Sequence, residues 1–123
     1  MSFYRGEESR QSNESNAEHE LLLLLHQAYG KMELKERPLT NEALPLKITR
    51  PDFYFPGARV AVYLDGPHHI NAKVEARDEG INELLEEQDI RALRFRYMPP
   101  LTKTKAKEMI EAICKEVNLR WQK

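Results

Sequence analysis

The chain is poor in cysteine. Cys114 is its only one among 123 residues, so an internal disulfide is impossible and the sequence suits a reducing compartment. Long apolar runs are also missing. A membrane-spanning helix needs about 20 apolar residues, and the run Leu21 to Leu25 falls far short of that. The first residues carry no apolar core of a secretory signal, which places the chain in the cytoplasm and away from membranes. An excess of positive charge is absent too: 19 Lys and Arg stand against 20 Asp and Glu, a net charge of −1. A dedicated nucleic-acid binder is usually basic, so only a local basic face remains open. Arg50, Arg59, Arg91, Arg94, Arg96, Lys103, Lys105 and Lys107 cluster, while acids concentrate between residues 75 and 89.

The length allows one domain with a real core. A hydrophobic share of 41% beside 32% charged residues describes a globular chain. Residues 1–16 are polar and rich in Ser, Asn and Glu. They read as a disordered arm ahead of a single domain over residues 17–123.

The most informative stretch runs from Arg50-Pro-Asp-Phe-Tyr-Phe to Tyr-Leu-Asp-Gly-Pro-His-His69. Phe53 to Phe55 and Val60 to Leu64 are strand formers. Between them Pro56-Gly57 supplies a preset φ and tolerance of positive φ, the chemistry of a tight turn. A hairpin built this way brings Asp52 near Asp65. Alternation puts Asp52 and Tyr54 on one face, and Arg59, Ala61, Tyr63 and Asp65 on one face. Two carboxylates converging at a strand end repel unless a cation or proton lies between them, and a divalent metal is the economical explanation.

Around this hairpin the periodicity predicts a helix over residues 17–29, with Ser15-Asn-Ala-Glu18 at capping-box spacing and Gly30 as its stop. Glu18 then has two readings, a helix-capping acid or a carboxylate facing the metal. Residues 46–49 alternate as a first strand. A helix over 72–88, a strand over 91–98 and a helix over about 104–118 follow. Cys114 falls within the apolar stripe of the last helix and reads as a core thiol. The order α-β-β-β-α-β-α implies an α/β (α+β) fold, a mixed sheet flanked by helices.

Arg-Pro-Asp-Phe-Tyr-Phe, Tyr-Leu-Asp-Gly-Pro-His-His, Arg77-Asp78 and Ala-Leu-Arg-Phe-Arg together resemble the PD-(D/E)XK nuclease superfamily. Within it they are most similar to the branch of very-short-patch repair endonucleases and EDxHD homing-endonuclease domains, and to related small uncharacterised domains. The resemblance spans residues 18–97 and implies a restriction-endonuclease-like core and a metal-dependent DNA endonuclease. It implies Asp52 as principal metal ligand, a backbone carbonyl at Leu64, and Asp65 as a polar neighbour. It further implies His69 acting on water or leaving group, Asp78 supporting that histidine, and Glu18 as the acid of the first helix.

Hard oxygen ligands suit Mg²⁺ or Mn²⁺. Arg50, Lys73, Arg77, Arg94 and Arg96 are the candidate phosphate contacts, with a solvated strand face the other reading of Arg94 and Arg96. The expected partner is DNA, with RNA also compatible, acting alone, as a homodimer or within a larger assembly. Two departures are visible: Tyr63 stands where many relatives carry glutamate, and no lysine fills the motif's third position, which is Asp65. A single cysteine also rules out the structural zinc of the mismatch-repair branch. The other function class is therefore a degenerate nuclease fold serving as a nucleic-acid-binding or protein-interaction module.

Overall fold

The computed structural model describes residues 5–44, 49–65, 72–98 and 100–121, with the side chains of 5–16 and 72–79 left aside. Three helices and three strands follow one another as α1 (Arg5–Gly30), β1 (Phe53–Phe55), β2 (Val60–Asp65), α2 (Ala72–Glu87), β3 (Arg91–Arg96) and α3 (Lys103–Arg120). The sheet order is β1-β2-β3. β1 pairs antiparallel with β2, with Phe53 opposite Val62, and β2 pairs parallel with β3, with Asp65 opposite Arg96. This is a mixed sheet, and α2 is the crossover that a parallel pair requires.

Strand alternation sorts the core into two layers. Phe53, Phe55, Val60 and Val62 pack with Leu21 and Leu25 of α1 and with Met109, Ile113 and Val117 of α3. Tyr54, Ala61 and Tyr63 pack on the other face with Leu85 and Ile90. Cys114 is half-buried against the first layer. Burial, reinforced by the charge of Glu33, pushes its thiol pKa up.

Two expectations need correction, and a third falls mostly outside the described residues. Helix α1 begins at Arg5, inside the stretch read as a polar arm. Arg, Glu and Gln propagate a helix well and no proline interrupts residues 5–16. Ser15-Asn-Ala-Glu18 therefore lies within the helix, and Glu18 does not cap its N-terminus. The strand expected over 46–49 falls mostly outside the described residues; Thr49 forms an isolated antiparallel bridge with Leu44. In the hairpin turn the residue with positive φ is Arg59, at 57°, and not Gly57. Gly57 serves close approach instead. Its N–H and that of Ala58 donate to the two Glu36 carboxylate oxygens at 2.6 and 2.9 Å, and a Cβ at Gly57 would sit 3.0 Å from one of them.

Helix α1 closes by a reversal two residues beyond Gly30. The Glu33 N–H reaches Ala28 O at 2.8 Å and the Met32 N–H reaches Tyr29 O at 3.1 Å, the paired bonds of a Schellman cap. Its left-handed position belongs to Met32, with φ 66° and 90% exposure. A side chain with a Cβ is strained there and packs on nothing. Met32→Gly is therefore expected to stabilise the fold by about 0.5–1 kcal/mol, read as a higher urea midpoint at unchanged slope. An unchanged or lower midpoint would count against this cap.

Candidate active site

The start of β1 and the end of β2 meet at one end of the sheet. The Asp52 N–H donates to Val62 O at 2.9 Å, and Asp52 Oδ2 accepts the Leu64 N–H at 2.7 Å. The Asp52 side chain thus takes the rung that a longer β1 would fill with a backbone carbonyl. In a strand, one residue's N–H and C=O point to the same side. The Leu64 carbonyl therefore faces the Asp52 side, while Asp65 O turns the other way and accepts the Tyr97 N–H at 3.2 Å.

Glu18 reaches this corner from α1. Its carboxyl pKa is raised, first by burial and then by the negative charge of Asp52. The negative charge of Asp52 is thus felt at Glu18, across the packing of α1 onto the sheet.

Asp65 belongs to a different layer. Its carboxylate lies 3.9 Å from the Arg94 guanidinium, a loose ion pair. Arg94 stacks over the Tyr63 ring at 4.1 Å from its centroid and donates from Nε to Asn82 Oδ1 on α2 at 3.1 Å. The Tyr63 hydroxyl in turn shares a 2.8 Å hydrogen bond with Thr49 Oγ1. The side chain of Arg94 is only 18% exposed, so neither a solvated strand face nor an open phosphate contact describes it. Its aliphatic stem and planar head fill the space between sheet and α2. The sequence could not show that α2 covers this face of β3. Thr49 and Asn82, which complete the cluster, carry no sequence signal beyond the need of a buried tyrosine hydroxyl for a partner.

The remaining candidates divide simply. Arg96 and Arg50 are exposed, and Arg50 donates to Asn41 O at 3.2 Å. Lys73, Arg77 and Asp78 lie on α2, with side chains outside the described set. His69, with His68, lies outside the described residues.

Among the described residues no group of three or more His, Cys, Asp and Glu gathers as a metal site. Mg²⁺ does not require one, since it keeps several waters and takes one or two carboxylates. Asp52, Glu18 and the Leu64 carbonyl, all hard oxygen donors, fit that habit.

The raised pKa of Glu18 has a consequence for stability. Between its ordinary value of 4.5 and the raised one, the folded chain binds more protons than the unfolded chain. Stability from this group is therefore present at low pH and lost as pH rises through that window. Glu18→Gln is expected to melt higher than the parent at pH 7.5, with the difference closing below pH 4.5. An equal difference at both pH values in thermal melts would contradict the carboxylate pair.

No helix among the described residues is long and apolar enough to cross a membrane. No family model, curated protein or solved structure matches the chain.

Proposed function

We infer that the chain is a metal-dependent endonuclease that hydrolyses phosphodiester bonds in DNA on a restriction-endonuclease-like core. The observation that carries this reading is Asp52 at the end of the sheet, its Oδ2 accepting the Leu64 N–H at 2.7 Å and its charge felt at Glu18 of α1. Asp52 and the Leu64 carbonyl would hold Mg²⁺ or Mn²⁺, with Glu18 as the second acid. The ion, when bound, supplies charge neutralisation at the scissile phosphate and acidity to a water.

The chain's own groups supply the rest. Asp52 is fixed by the Leu64 N–H, so it needs no reorganisation to receive a cation. Glu18 stands as the second acid, its carboxyl pKa raised first by burial and then by the charge of Asp52. By the family resemblance, His69 with support from Asp78 would move a proton to or from the attacking or departing oxygen, a role worth about 10²–10⁴ in rate.

One observation favours the binding-module reading. Tyr63 fills the acidic slot and Arg94 engages Asp65, which removes two acids from the metal's reach. Supercoiled plasmid with Mg²⁺ or Mn²⁺ separates the two. Nicking that EDTA abolishes supports the enzyme. Absence of nicking together with absence of Mn²⁺ binding by calorimetry leaves the fold as a scaffold.

A further inference from the structure

We propose that Lys103, Lys105 and Lys107, with Arg96 beside them, form the surface that grips the phosphodiester backbone of DNA at this site. The inference rests on the nuclease reading for its substrate and on the fold for its location. β2 and β3 run parallel and end together at Asp65 and Arg96. The chain leaves the sheet there, and α3 starts at Lys103 after a short connection. Its first turns therefore lie at the same carboxyl end of the sheet as Asp52, Leu64 and Asp65. Open α/β sheets bind ligands at that end.

A second observation sets two of the lysines against α1. Lys103 and Lys107 line a groove of about 390 Å³ together with Glu20, Lys31 and Glu33.

Charge makes the same point. Lys103, Lys105 and Lys107 enter no ion pair among the described residues, and α3 has no acid in its first turn. Lysines at a helix start are opposed by its macrodipole. Lys103 and Lys105 stand in that first turn, and a polyanion on this surface would offset their charge. Lys103 and Lys107 are exposed, as is Arg96. A chain of net charge −1 can hold DNA only through a local patch of this kind, and weak, salt-sensitive affinity follows.

The test is binding of a fluorescently labelled DNA duplex by anisotropy in EDTA, between 25 and 150 mM salt, where cleavage plays no part. The logarithm of affinity falls with that of salt by about 0.9 per neutralised phosphate. The variant K103Q/K105Q/K107Q is expected to flatten that slope by about 2–3. Lys115→Gln, on the second half of α3, leaves the slope unchanged. Each single lysine variant flattens it by about 0.9, which keeps the test valid if the triple variant folds poorly. An unchanged slope, an equal effect of Lys115→Gln, or no DNA binding by the parent overturns the proposal. The two readings fail separately. A flattened slope without metal-dependent nicking removes the nuclease and keeps the surface, and nicking with an unchanged slope removes the surface alone.

Discussion

Replacing Asp52 by asparagine is expected to lower metal-dependent plasmid nicking by about 10²–10³-fold while leaving the fold in place. The amide oxygen still accepts the Leu64 N–H that Asp52 Oδ2 accepts at 2.7 Å, so the rung between β1 and β2 survives. What disappears is the one full negative charge that would face a bound cation. Hard divalent ions bind through such charges, and a neutral amide leaves the developing phosphate charge uncompensated. The same substitution relieves Glu18, whose raised pKa owes its second contribution to Asp52. Its carboxyl should fall back towards the ordinary range and stop at the part due to burial. Nicking rates, Mn²⁺ calorimetry and the pH dependence of melting read these effects independently. An Asp52→Asn protein that nicks within a few-fold of the parent would remove Asp52 from the site. One that loses nicking yet leaves the pH dependence of Glu18 unaltered would break the carboxylate pair.

The largest loss of stability is expected from Phe55→Ala. Phe55 is 0% exposed and sits in the layer between the sheet and helices α1 and α3. Its ring has no route to solvent, so truncation leaves a cavity as well as losing transfer free energy. Phe→Ala substitutions at such sites cost about 3–5 kcal/mol. Against a typical total of about 5–15 kcal/mol, that is a large fraction of the domain's stability, equivalent to a fall of about 10–25 °C in melting midpoint. Leu119→Ala is the natural control. Leu119 is 78% exposed, and its loss should stay within about 0.5 kcal/mol. Comparable destabilisation by the two would mean that the hairpin does not sit at the centre of the core.

Why the hairpin was legible in the sequence and other parts were not has a physical basis. Phe53 to Phe55 and Val60 to Asp65 form strands because local propensity, the Pro56-Gly57 turn and the buried faces agree. The apolar positions of α3 at Met109, Ile113 and Val117 repeat at helical spacing and are all buried. The three-residue return between α2 and β3 carries Asp89 with φ 58°, a polar residue in the left-handed slot that an Asp tolerates. In these stretches short-range chemistry already points the same way as the tertiary fold.

Elsewhere the deciding partner lies far along the chain. The convergence expected between Asp52 and Asp65 followed from hairpin geometry, yet the structure sets Asp65 against Arg94 and Asp52 near Glu18. Alternation tells which face a residue occupies. It says nothing of whether a helix covers that face, which is why Arg94 emerges as a packed residue on Tyr63. The position of Glu18 depends on how α1 lies across the sheet, and α1 reaches further towards the N-terminus than its capping-box spacing suggested.

The sequence by itself determined the strand period of β1, β2 and β3, the helical period of α2 and α3, the β1–β2 hairpin and the mixed sheet. Those features depend on contacts close in sequence or on the handed twist of strands. Only the tertiary structure decided which acid faces which. Pairing Glu18 with Asp52, and Asp65 with Arg94, depends on the docking of whole helices onto the two faces of the sheet. That docking is set by the summed burial of side chains far apart in the chain, and no local pattern encodes it.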